Sequence, residues 1–221
     1  MTTKDRFEAT ESELAGVCSA AGRAREDVTL VAVSKTVGAD DVELAIEGGA
    51  RDFGENRPDQ LMGKADRFTD VNWQFIGNLQ SRRIRDIVGR ATLIHSLYQE
   101  RHARKINEVA REKGVVQDVL LEVNVSGEES KSGLAPDEVR SLLEVCAGLP
   151  NVNVRGLMTM APQGDLDVAR STFAGLRDLR DDLQGDYPGL TELSMGMTDD
   201  WREAVSEGAT IVRIGRAIFS D

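Results

Sequence analysis

Val28-Thr29-Leu30-Val31-Ala32-Val33-Ser34-Lys35 decides how this chain reads. The run is short, rich in valine and apolar until it stops in a Ser-Lys pair. Such a run predicts a buried strand, because β-branched side chains pack well on a pleated surface. Lys35 then stands at the carboxyl end of that strand. Apolar walls there would depress an amine's pKa and leave it able to attack a carbonyl. The plainer alternative is a lysine that extends from the strand end into water. Position alone leaves both readings open.

Outward from this strand, apolar runs alternate with amphipathic segments. An opening helix is expected over residues 4–21. Seven further strands are expected at 52–56, 72–77, 92–97, 118–125, 152–160, 192–195 and 210–214. Helices are expected at 40–48, 81–88, 99–113, 136–147, 165–183 and 199–207. Pro136 suits the first turn of its helix. Alternating β and α elements imply a parallel sheet with right-handed crossovers. Eight such units close most naturally into a single-domain (β/α)8 barrel over residues 1–221, with a doubly wound open sheet as the alternative. No Gly-, Pro- or Ser-rich linker divides the chain.

Composition narrows the function. The 221 residues carry a formal net charge of −11. That balance argues against a general nucleic-acid or anionic-membrane surface, which needs a basic footprint. Cys18 and Cys146 lie far apart and fit reduced thiols in a cytoplasmic protein. The first residues lack the apolar core of a signal peptide, and no apolar run approaches a membrane span. With only His95 and His102, a histidine-rich metal site is not expected.

A barrel places its active site at the carboxyl ends of its strands. Those positions hold Lys35, Glu55, Asn56, Asn78, Asn124, Met158, Thr159 and Met160. Ser194-Met195-Gly196-Met197-Thr198 ends the seventh strand, and Arg213, Gly215 and Arg216 end the eighth. Barrels often bind phosphate with the loops after these two strands. A lysine facing a phosphate cradle is the arrangement that pyridoxal 5′-phosphate requires. Each feature also has a plain reading. Thr198 could be a helix N-cap. Arg213, inside an apolar strand, could be exposed or ion-paired with Glu192 or Glu55. Met158 and Met160 read as core, His95 as a satisfied interior histidine, and the Arg82–Arg85 run as a solvated helix face.

The assembled motifs resemble those of the pyridoxal phosphate homeostasis proteins, also called the YggS or proline synthetase co-transcribed family. The resemblance rests on Val31-Ala32-Val33-Ser34-Lys35-Thr36, Phe53-Gly54-Glu55-Asn56 and Trp73-Gln74-Phe75-Ile76-Gly77-Asn78-Leu79-Gln80. It continues through Asn124-Val125-Ser126, Glu129-Ser130-Lys131-Ser132-Gly133 and Gly156-Leu157-Met158-Thr159-Met160. It ends with Leu193-Ser194-Met195-Gly196-Met197-Thr198-Asp199-Asp200 and Val212-Arg213-Ile214-Gly215-Arg216-Ala217-Ile218-Phe219. It implies a barrel like the N-terminal domain of alanine racemase, fold type III among pyridoxal phosphate proteins.

The resemblance further implies that Lys35 holds the cofactor as an aldimine and that Asn56 belongs to the cofactor site. It implies phosphate contacts from Ser194, Thr198 and the loop backbone at Gly196, Met197, Gly215 and Arg216. It places Arg213 at the pyridine nitrogen, where a permanent donor weakens the ring as an electron sink. The implied role is carrying and buffering pyridoxal phosphate, with apo-enzymes as recipients, no catalytic residue, and a monomer as the expected state. Gln74, Tyr98, Thr198 and the Ser81-Arg82 pair depart from the family's usual residues. The competing reading is an amino-acid racemase, which needs a base on each cofactor face. Lys35 would supply one. Of the two tyrosines, Tyr98 is placed nearer the strand ends than Tyr187.

Overall fold

The computed structural model describes residues 1–128 and 131–220. Eight strands run in chain order, each parallel to the next, and the last pairs with the first. They are β1 (Thr29–Val33), β2 (Asp52–Glu55), β3 (Asn72–Phe75), β4 (Leu93–Leu97), β5 (Gln117–Glu122), β6 (Val152–Met158), β7 (Glu192–Ser194) and β8 (Ile211–Ile214). Closure is secured by the β1–β8 ladder, in which Val31 faces Arg213 and Ala32 faces Ile214. The barrel alternative therefore holds over the open sheet. Most strands stop short of the expected ends. Ser34, Lys35, Asn56, Gly77 and Met195 have already left the ladder to build the mouth.

Helices fill the intervals: α1 (Thr3–Ala20), α2 (Ala39–Glu47), α3 (Pro58–Ala65), α4 (Ile84–Ile87), α5 (Glu100–Lys113), α6 (Val139–Ala147), α7 (Leu166–Gln184), α8 (Trp201–Ser206) and α9 (Arg216–Phe219). The sequence reading omitted α3, because only Leu61 of its residues is buried and no apolar stripe forms. Its legible signal was Pro58, which occupies the first turn. The expected 81–88 helix is a 3-10 turn (Ser81–Arg83) followed by the single turn of α4. α1 begins with a capping box between Thr2 and Asp5. It packs outside the barrel against α2, α8 and α9, and Arg6 Nε donates to the Ile218 carbonyl at 2.8 Å.

Most of the core lies between strands and helices, where Phe53, Phe75 and Trp201 are fully buried. Burying each such side chain contributes roughly 2–3 kcal/mol. Inside the barrel a smaller apolar plug of Val31, Leu120, Met158 and Ile211, with Leu93 against it, forms a floor. Toward the carboxyl ends the interior positions become polar: Gln74, His95, Glu122, Ser194 and Arg213 are all buried. Packing thus turns into chemistry over one layer of side chains.

Two register shifts flank β5, one between Ile94 and Leu97 and one between Val119 and Leu120. Gly156 follows the second shift, and its backbone lies hard against β7. A methyl group at this position would come within 1.9 Å of the Glu192 carbonyl oxygen. Backbone cannot yield as a side-chain tip does. Gly156→Ala is therefore expected to destabilise the fold by about 3 kcal/mol, the upper end of ordinary overpacking costs. Urea unfolding should show a lower midpoint, and an unchanged midpoint would contradict the close approach.

Candidate cofactor site at the barrel mouth

Lys35 follows β1 by two residues and is exposed. Among the described residues its Nζ has no hydrogen bond or ion pair. It therefore stands in the extended, solvent-facing position and is not walled in by apolar side chains. What is fixed is its backbone. Ser34 is fully buried, and its Oγ donates to Glu55 Oε1 at 2.7 Å. Lys64, on α3, donates to the Ser34 carbonyl at 2.7 Å and to the same Glu55 oxygen at 2.5 Å. The buried carboxylate and its lysine thus clamp the peptide that carries Lys35. Next to Glu55, Asn56 keeps a buried Oδ1 with no partner among the described residues.

The loops after β7 and β8 approach this strand end. Gly196 has φ +91°, and a methyl there would lie 2.6 Å from Ala204 Cβ and 2.9 Å from Trp201 Cα. Only glycine suits that backbone. Met197 N–H donates to Asp200 Oδ1 at 2.6 Å. Asp200, not Thr198, stands at the cap position of α8, and it makes no side-chain cap bond. The Thr198 hydroxyl is therefore not spent on a cap. Burial raises the Asp200 pKa, opposed by the Met197 hydrogen bond and by Arg213. A methyl on Gly215 would meet the Val33 carbonyl oxygen at 3.2 Å, so the β8 loop touches the end of β1. Among the described residues, no acceptor takes the N–H groups of Thr198, Gly215 or Arg216. The Arg216 side chain is exposed and bonded to Asp199.

Below the loops, Arg213 is 4% exposed. Neither ion-pair partner expected from the sequence reaches it. Glu55 is held by Lys64, and Glu192 accepts from Thr210 Oγ1 at 2.6 Å. The guanidinium instead donates to Ser194 Oγ and to the Thr159 carbonyl at 3.1 Å. Burial lowers its pKa to about 10, with Asp200 and Glu122 acting the other way. It stays charged at neutral pH. His95 is the satisfied interior histidine anticipated, with Nδ1 2.9 Å from Ser194 Oγ and Nε2 2.7 Å from Gln74 Oε1. Burial, then Arg213, lowers its pKa well below the usual value.

Sequence reasoning missed Glu122. It is 2% exposed, neither carboxylate oxygen has a hydrogen-bond partner among the described residues, and burial pushes its pKa to about 7 against the pull of Arg213. The signal was available: a charge inside Leu120-Leu121-Glu122-Val123, of the same kind that singled out Arg213.

Other residues fall outside the cluster. Lys131 Nζ is held by the carbonyls of Ala161 at 2.6 Å and Met160 at 3.2 Å. Glu129 and Ser130 lie outside the described residues. Met158 is buried, but Met160 is exposed and is not core. Arg83 and Arg85 pair with Asp59, Asp86 and Glu112, an ion-paired outer face. Tyr98 is half-buried after β4. Tyr187 lines a surface depression of about 460 Å³ with Leu143, Cys146 and Pro188, which contains none of the residues above.

The chain is similar to known proteins along its whole length. Residues 17–221 match the family described as alanine racemase, N-terminal domain. The pyridoxal phosphate homeostasis protein of Aquifex aeolicus is 40% identical over 226 residues, covering 100% of this chain and 99% of that protein. The chain belongs to the pyridoxal phosphate homeostasis family. The Pseudomonas aeruginosa member of that family is 44% identical over 90% of this chain and 87% of its own length. PipY of Synechococcus elongatus, solved without PLP, superposes with TM-score 0.89 at 34% identity, covering 99% of this chain and 100% of PipY. PipY with PLP bound gives 0.82 over 94% of this chain and 100% of PipY. An alanine racemase from Clostridium difficile shares the fold, with TM-score 0.78 at 13% identity over 98% of this chain and 56% of that one.

In this family member, Glu122 sets a pH dependence. Its carboxyl titrates at about 7 when folded and at its ordinary 4.5 when unfolded. Between those values the folded state holds a proton that the unfolded state has lost, so stability falls as pH rises. The difference amounts to about 3 kcal/mol. Denaturant unfolding at pH 5 and 7.5 should show about 2 kcal/mol of this loss in the wild type, and Glu122→Gln should remove it. A variant with the wild-type slope would refute the assignment.

Proposed function

We propose that this protein binds pyridoxal 5′-phosphate at the barrel mouth and buffers and carries it in the cytoplasm. The observation that carries the reading is the contact of Gly215 with Val33. It brings backbone N–H groups that have no acceptor to the end of the strand that presents an unpaired Lys35. Such donors suit an anionic phosphate. The names of the relatives and the PLP-bound PipY structure support the same reading. When bound, the cofactor supplies an aldehyde and an electron-accepting pyridine ring.

Lys35 contributes the amine for covalent attachment, on a backbone clamped by Lys64 and Glu55. Gly196, Thr198, Gly215 and Arg216 form the phosphate cradle, with the Thr198 hydroxyl as its side-chain donor; the expected Met197 N–H is instead held by Asp200. Asn56 offers an acceptor beside Lys35. Ser194 is fully buried and bonded to His95 and Arg213, so its role is to hold Arg213. Arg213 has donors only. Placed at the ring nitrogen, it would hold that atom unprotonated and make the ring a weaker electron acceptor.

That weak sink, with Lys35 the one base clearly presented, argues against racemase or transaminase turnover. The protein would act as a monomer that passes the cofactor to apo-enzymes. Borohydride reduction and peptide mapping of cofactor-loaded protein should place the label on Lys35, and a label mainly on Lys131 would reverse the assignment. Thr198→Ala should weaken retention about tenfold, the effect of one charge-assisted hydrogen bond. Lys35→Ala should abolish trapping yet keep some non-covalent binding. Racemisation at about 1 s⁻¹ or faster, lost in Lys35→Ala, would replace the carrier with an enzyme.

A further inference from the structure

Five side chains from five strands join across the barrel interior. Gln74 Nε2 donates to Asp52 Oδ1 at 2.9 Å. Gln74 Oε1 lies 2.7 Å from His95 Nε2, and His95 Nδ1 lies 2.9 Å from Ser194 Oγ. Arg213 Nη1 donates to that same Ser194 oxygen. Gln74, His95, Ser194 and Arg213 are 4% exposed or less. Mispaired groups at this depth would go unsolvated.

The carboxylate end fixes every link as far as Arg213. A carboxylate only accepts, so the Gln74 amide must turn its NH₂ to Asp52 and its oxygen to His95. That oxygen also only accepts, so His95 Nε2 must carry the proton. A neutral imidazole then has a lone pair at Nδ1, which accepts from the Ser194 hydroxyl. The Ser194 lone pairs are left facing Arg213, which only donates. The opposite tautomer would set two acceptors against each other at Gln74. A doubly protonated His95 would bring a second cation onto the oxygen that Arg213 uses.

We infer that Asp52, Gln74, His95 and Ser194 form a one-directional hydrogen-bond relay that positions Arg213 to donate to the cofactor ring, with His95 held as the neutral Nε2–H tautomer. The role at the ring rests on the proposed cofactor reading; the relay itself does not. The charged group that acts on His95 is Arg213 on β8; Glu122 on β5 and Asp200 before α8 act on Arg213, and Asp52 on β2 is reached through Gln74. Burial and Arg213 both act against protonating the ring.

The test begins with cofactor-free protein. With two histidines in the chain, ¹⁵N NMR with a His102→Gln control assigns the imidazoles. His95 should show the neutral Nε2–H form from pH 8 to pH 5 without titrating. A Nδ1–H tautomer, or a midpoint near 6.5, would overturn the relay. Ser194→Ala should leave that tautomer intact but lose the slowly exchanging guanidinium protons of Arg213; their retention would show that Ser194 does not position Arg213. Gln74→Glu offers His95 a charged acceptor and leaves Asp52 with Asn72 as its donor. His95 should then titrate above pH 6, and the absorbance of bound cofactor should shift over the same range, while wild type stays flat. A structural defect alone would not link those two titrations. In cofactor-loaded protein, Ser194→Ala should weaken binding about tenfold. Failure of wild type to bind cofactor would sink the proposed function and leave the NMR result standing. Normal cofactor binding by Ser194→Ala would sink the positioning role.

Discussion

A permanent positive charge sits inside this barrel. Arg213 is on the strand that closes the sheet, and among the described residues no carboxylate lies within ion-pair distance. A guanidinium cannot neutralise itself at ordinary pH, so the surrounding protein must solvate it. The upper half of the interior is organised around that requirement. The Thr159 carbonyl and the Ser194 hydroxyl turn toward it. Glu122 and Asp200 supply opposing field without contact. The apolar plug of Val31, Leu120, Met158 and Ile211 stops one layer below. A neutral residue at 213 would remove the reason for most of these polar neighbours.

Lys35 shows the complementary strategy. Its amine meets water, but the peptide behind it is fixed by a buried triad. Glu55 and Lys64 neutralise each other and together hold both the side chain and the carbonyl of Ser34. Mobility at the tip with rigidity at the root suits a group that forms and releases a bond. The β8 loop is held to the same strand end by the Gly215 contact with Val33. Two elements far apart in sequence thus share one edge of the mouth.

The architecture was largely legible, because the β/α alternation is a property of whole segments. Each of the eight strands lies where its apolar run stands. Strand ends were less legible, since segments such as Val123-Asn124-Val125 and Thr159-Met160 remain strand-like in composition after the ladder stops. α3 was hidden because it buries a single leucine. At the site, Lys35, Asn56 and the glycines of the loops could be named from their place after strands. The role of Ser194 could not. Its hydroxyl is spent on His95 and Arg213, a pairing across three strands that no local pattern carries. Glu122 and Arg213 carried the same kind of signal, a charge in an apolar run, and only one was followed.

The seam between β1 and β8 has a consequence for how the chain acquires its shape. These strands are separated by most of the sequence, yet they pair directly, and α1 rests on α8 and α9. Contacts of such sequence separation form slowly, because a large loop must close before they contribute. Until β8 arrives, the outer edge of β1 exposes unpaired backbone beside Leu30 and Ala32. A nascent chain on the ribosome carries that sticky edge through nearly all of its synthesis. The strand that completes the barrel mouth is also the one that ends the interval in which the chain is open to aggregation.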